Sequence, residues 1–142
     1  MSSGDVDGIV LSLPIADRMR AMVFYREVFG FEALGEPAED GVPEPLRFEI
    51  GERTRLMLIP SGGFGWVLGE GREVAPAKSH EVLLSLTVGA HSAVDDVIGR
   101  ARRAGGEIVA EPQQQPWGYT GVCADLDGHL WQVIVAAAAT SS

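Results

Sequence analysis

Val10-Leu11-Ser12-Leu13, near the start of the chain, recurs 73 residues later as Leu83-Leu84-Ser85-Leu86. Each copy opens a short apolar run of strand type that leads into a helical segment. Two further landmarks return in the same order. Glu36-Pro37 comes back as Glu111-Pro112 at an offset of 75, and Arg55-Leu56-Met57-Leu58-Ile59 as His129-Leu130-Trp131-Gln132-Val133 at an offset of 74. Three landmarks repeated in order mark a chain built from two similar halves, with a period longer than that of the common solenoid repeats.

Local signals then order the elements inside each half. In the first, Asp17 is placed to cap a helix whose apolar positions are Met22, Phe24, Tyr25 and Val28, with Gly30 at its C-terminal cap. In the second, Ser92 is the expected cap of a helix with Val94, Val97, Ile98, Ala101 and Ala104 on one face, ending at Gly105-Gly106. Three short strands are expected after each helix. They fall around Phe31–Leu34, Leu46–Ile50 and Arg55–Ile59 in the first half, and Glu107–Ala110, Gly121–Ala124 and Leu130–Val135 in the second. Asp125-Leu126-Asp127-Gly128 supplies the turn before the last strand.

Each half therefore reads βαβββ, and the fold class is α+β. One such half cannot bury both faces of its sheet, so two halves, from one chain or two, are expected to enclose a cleft. The expected organisation is a single domain over 1–142. Module one covers about 8–60, a Gly/Pro-rich linker or partly ordered flap with Phe64, Trp66 and Val67 about 61–80, module two about 81–135, and a frayed tail 136–142.

Composition narrows the function. With 142 residues, 46% of them hydrophobic, the chain can bury a sizeable core. Twenty acidic residues against eleven basic ones give a formal charge of −9, which repels nucleic-acid backbones and anionic membrane surfaces. Cys123 is the single cysteine and cannot form an internal disulfide. No stretch approaches the roughly 20 apolar residues that span a bilayer, and the opening residues lack the regions of a signal peptide. A cytoplasmic protein is expected.

Particular residues carry a family likeness. Leu13-Pro14-Ile15-Ala16-Asp17, then Phe24-Tyr25-Arg26 and Phe29-Gly30-Phe31, resemble the first-module signature of the vicinal oxygen chelate superfamily, which includes glyoxalases, bleomycin-resistance proteins and extradiol dioxygenases. Trp117-Gly118-Tyr119 through Ala124-Asp125-Leu126-Asp127-Gly128-His129-Leu130-Trp131 resembles its terminal signature, with Leu126 where the family usually has Pro. The resemblance implies paired βαβββ modules, a curved sheet and a central cleft. It leaves activity open, because the superfamily hosts isomerases, lyases, dioxygenases and non-catalytic drug binders.

Metalloenzymes of the family place one ligand on the first and one on the last strand of each module, usually His or Glu. Carried over residue by residue, these places fall at Val10, at or next to Leu58, at Leu83 and at Gln132. Three hydrocarbons and one neutral amide do not hold a divalent ion, which needs N or O donors at roughly 2 Å. No metal or other cofactor is therefore expected. His80, His91 and His129 are read as structural or solvent histidines, Cys123 as a small core residue, and no complete catalytic set is evident.

Strand alternation would bring Ser12, Leu56, Ser85, Leu130 and Ile134 to the same side as these four residues. Trp117 and Tyr119 would stand at the rim, with Phe64 and Trp66 closing over. The expected ligand-binding set is thus Val10, Ser12, Leu58, Leu83, Ser85, Gln132, Phe64, Trp66, Trp117 and Tyr119. A mostly apolar wall with a few polar groups and aromatic edges suits a small aromatic or amphipathic molecule. Three functions stay open. One is metal-independent binding, as in antibiotic sequestration by a homodimer. The second is a metal-dependent lyase, isomerase or dioxygenase with non-standard ligands. The third is a metal-independent enzyme or a purely structural or regulatory protein.

Overall fold

The computed structural model describes residues 6–136. All of the expected tail except Ala136 lies outside the described residues. Contacts divide the chain between Val74 and Ala75 into two compact units. None of the helices among the described residues is long and apolar enough to cross a membrane.

The first unit runs β1 (Ile9–Ile15), α1 (Arg18–Phe29), β2 (Leu46–Gly51), β3 (Thr54–Pro60) and α2 (Ser61–Leu68). Its sheet has the order β1-β3-β2, with β1 parallel and β2 antiparallel to β3. Asp17 caps α1 as expected, its carboxylate accepting the Arg20 N–H at 2.9 Å. Gly30 ends the helix in the left-handed region at φ 76°, donating its N–H to the Arg26 carbonyl at 3.0 Å, while Phe31 N–H reaches the Tyr25 carbonyl. Ala21, Phe24, Tyr25 and Val28 are the buried stripe of α1, and the Tyr25 ring stacks on Phe48 of β2 at 5.6 Å. Arg18, in the first turn of α1, pairs with Glu44 at 2.9 Å and also with Asp40, and donates to the Val42 carbonyl, so it ties the long α1–β2 connection to the helix.

The second unit runs β4 (Leu84–Val88), α3 (His91–Arg103), β5 (Glu107–Gln115), β6 (Gly118–Ala124) and β7 (Leu130–Val135). Its strand order is β4-β7-β6-β5, with β4 parallel to β7 and the others antiparallel. Val94, Val97, Ile98 and Ala101 form the buried face of α3, and Arg100, Arg102 and Arg103 sit in its last turn, where positive charge suits the helix dipole. At Gly121 of β6 the helix comes so near that a Cβ would stand 2.7 Å from Cγ1 of Ile98.

The α+β architecture follows the sequence, with three local differences. Phe31–Leu34 is not a strand, and only an isolated bridge joins Ala33 to Phe48. The run is closed in by Gly30 and Gly35, both at positive φ, and by Pro37, which has no N–H to extend a ladder. The expected linker or flap begins as an ordered helix, since residues 61–68 form α2, which packs on β1 and β3. Ser61 Oγ donates to the Ile15 carbonyl at 3.2 Å. Finally, Ser92 is not the cap of the second long helix. Ala90 occupies that position without a side-chain hydrogen bond, and Ser92 lies inside α3.

Gly121→Ala is expected to lower stability by about 1–3 kcal/mol, the usual cost of overpacking a close contact, with the secondary structure kept. Urea unfolding of the two proteins measures it, and an unchanged midpoint would show that Ile98 can move aside freely.

Candidate functional site

In each unit one face of the sheet is covered by its long helix, and the candidate site residues divide between that face and the opposite, open one. In the first unit the parallel register sets Leu11 beside Leu56 and Leu13 beside Leu58, while Val10 pairs with Arg55 and Ser12 with Met57. Leu56 and Leu58 are 0% and 1% exposed, buried beneath α1 with Phe48 and Leu46. Val10 and Ser12 are exposed on the open face. The expectation that Leu58 and Leu56 share a face with Val10 is therefore corrected: Met57 and Arg55 stand there, followed across the sheet by Arg47 and Glu49. The open face of this unit is thus more charged than the sequence reading allowed.

In the second unit Ser85 pairs with Gln132 and Thr87 with Ile134. The same face continues through Val122 and Thr120 on β6, which stand opposite Gln132 and Ile134. Gln132 donates its amide N–H to Ser85 Oγ at 3.1 Å, so the two expected residues are brought together. Leu83, just before β4, is half exposed. The other face holds Trp131, Val133 and Cys123, all buried against α3.

The expected aromatic rim is only partly formed. Trp117 sits in the β5–β6 hairpin turn and is 60% exposed. Tyr119 alternates to the helix side. Its ring stacks on His91 at 4.0 Å and its hydroxyl donates to Asp95 at 2.8 Å, so it serves as a clamp on the start of α3. That hydrogen bond, more than burial or charge, raises the phenol above its ordinary pKa of 10.0. Phe64 and Trp66 lie on α2, the first half-buried and the second 85% exposed. Burial, reinforced by the Asp125 charge, pushes the Cys123 thiol up to about 12 and leaves it a poor nucleophile.

A groove that sequence reasoning missed lies wholly within the second unit. It has a volume of about 660 Å³, and its floor is the end of the open face, with Val109, Ala124, Leu126 and Leu130. Residues Ala77, Lys78 and His80 border it on one side, and Glu107 and Asp127 add charge. The turn beneath is rigidly made, because buried Asp125 accepts the N–H groups of Asp127 at 3.0 Å and His129 at 2.8 Å. Gly128 takes the left-handed φ of 92° that the turn needs, and the backbone of Lys78 lies beside it, 3.6 Å from where a Cβ would stand. No local sequence pattern announces this packing of residues 77–80 on the turn, which joins segments about 50 residues apart in the chain.

Among the described residues no group of three or more His, Cys, Asp or Glu side chains is placed to hold a metal ion. The open-face positions on the first and last strands offer Val10, Ser12, Arg55 and Met57 in the first unit and Ser85 and Gln132 in the second.

The model of the Glyoxalase/Bleomycin resistance protein/Dioxygenase superfamily matches residues 9–133. The chain belongs to this superfamily. Solved structures agree with the assignment. A hypothetical protein of S. aureus is 26% identical with a TM-score of 0.79, the match covering 94% of this chain and 96% of that one. A glyoxalase-related enzyme from Fulvimarina pelagi is 23% identical with a TM-score of 0.76, over 90% and 86% of the two chains. TnmS3, an antibiotic binding protein from Streptomyces sp. CB03234, is 21% identical with a TM-score of 0.60, over 96% and 99%. A search of curated proteins gave no match. The superfamily signature at Asp125–Gly128 thus has a structural basis here, in the Asp125 carboxylate that holds the turn.

The raised thiol pKa of Cys123 has a thermodynamic sign. The folded state keeps the proton that the unfolded chain releases near pH 9, so stability falls as pH rises from about 9 towards 12. Cys123→Ala is expected to flatten that part of a stability-against-pH curve, measured by urea unfolding. Identical slopes for both proteins would show that the thiol titrates as freely in the fold as outside it.

Proposed function

We propose that this member of the superfamily is a metal-independent binding protein for a small aromatic or amphipathic molecule, seated on the open sheet face of the second unit. The observation that supports it best is the pairing of Gln132 with Ser85 on that face, Gln132 standing at one of the places where the family resemblance calls for a metal ligand. An amide and a hydroxyl orient a ligand by hydrogen bonds, while Val122, Ile134 and Leu130 beside them offer apolar surface. Val10 and Met57, on the matching strands of the first unit, bring no N or O donor to a metal either.

The neighbouring groove of about 660 Å³ is of a size that drug-like ligands occupy. TnmS3, with the same fold, is an antibiotic binding protein, which is consistent with a sequestering role. In this reading the two units form one domain, and the protein acts as a cytoplasmic homodimer without nucleic-acid or membrane partners.

Protein purified without chelator is expected to contain no stoichiometric zinc, nickel, manganese or iron by mass spectrometry, and to keep its melting temperature when these ions are added. A stoichiometric metal with a clear thermal rise would overturn the proposal. Nile red, a neutral dye with an apolar ring system and one carbonyl acceptor, should bind saturably by fluorescence titration, and Gln132→Ala should weaken it about two- to tenfold through loss of one hydrogen bond. Binding left unchanged by that substitution would move the site off this face.

A further inference from the structure

The groove beneath residues 77–80 has a charge as well as a shape. Its lining contains three carboxylates, Glu107, Asp125 and Asp127, against the single ammonium of Lys78. The excess is two negative charges. Asp125 is occupied by the backbone of its own turn, whereas Glu107 stands exposed at the head of β5. Beside it, Val109 is 51% exposed on the apolar floor, a hydrophobic side chain left uncovered next to a carboxylate.

These neighbours discriminate between ligands of the same body. A carboxylate is repelled by the lining and by the −9 charge of the whole chain. A neutral molecule gains from the floor alone. A cation with an apolar body gains from both, since Val109, Leu126 and Leu130 remove water from the body and Glu107 meets the charge at the edge. We propose that the groove is selective for an amphipathic amine, with its hydrocarbon part on that floor and its ammonium beside Glu107. The inference rests on the reading of the second unit's open face as a small-molecule surface, and it adds the class of the molecule.

Three probes with one shared body test it: naphthylmethylamine, naphthylmethanol and naphthoate, titrated calorimetrically into the full chain. The amine is expected to bind tightest, about fivefold over the alcohol, as suits a partly exposed charge pair. The preference should shrink at high salt. Glu107→Gln should cut the preference to near parity, the amine losing more affinity than the alcohol, and Lys78→Gln should enlarge it. Equal binding of amine and alcohol, with no effect of Glu107→Gln, overturns the selectivity and leaves the binding surface standing. Tightest binding by naphthoate, lost in Lys78→Gln, overturns it in favour of an anion site. Failure of all three probes also overturns it, and the Nile red titration with Gln132→Ala then decides separately whether the binding surface falls too.

Discussion

Each unit depends on its first strand lying beside its last and running the same way, β1 with β3 and β4 with β7. Parallel neighbours cannot be joined by a hairpin, because the chain must return to the starting edge before it can run forward again. The 12 residues of α1 and the 13 of α3 make much of that return, and each packs on one face of its sheet. The covered face becomes the core, filled by Tyr25, Phe48, Leu56 and Leu58 in the first unit and by Ile98, Trp131 and Val133 in the second. What is left over, the uncovered face, is where polar side chains such as Ser85 and Gln132 can stand without a burial penalty.

This arrangement also explains how far the sequence could be read. The helices were legible because their caps and stripes are local: Asp17, Gly30 and the spacing of Val94, Val97, Ile98 and Ala101 each work within one or two turns. Faces of strands were less legible. Leu56-Met57-Leu58-Ile59 is apolar throughout and has no alternation to show which side is buried. The 74-residue offset matched Leu58 to Gln132, whereas the pairing of Ser12 with Met57 and of Ser85 with Gln132 makes Met57 the true counterpart, at an offset of 75. The slip of one residue moved a core leucine onto the open face. In the second half the polar Gln132 and Ser85 marked the parity correctly, and those two residues are the ones found together.

Tyr119 and the groove escaped the sequence for different reasons. Tyr119 was placed by its neighbourhood with Trp117, but strand parity turns it towards α3, where His91 and Asp95 receive it. The groove requires residues 77–80 to pack against the 125–128 turn, a tertiary event with no periodic signature. The two open faces have also diverged in chemistry. The row Ser12, Met57, Arg47 in the first unit corresponds to Ser85, Gln132, Val122 in the second, so one copy of the plan presents a cation where the other presents a hydrocarbon.

The placement of the three tryptophans gives the molecule an optical asymmetry. Trp131 is 2% exposed and embedded against α3, while Trp66 and Trp117 are 85% and 60% exposed on a helix and a hairpin tip. The indole in the core emits from an apolar, rigid surrounding and is shielded from collisional quenchers. The two outer indoles emit from water and are open to them. Intrinsic fluorescence is therefore a sum of a blue-shifted signal that follows the packing of the second unit and a red-shifted one that follows two separate parts of the surface, one in each unit.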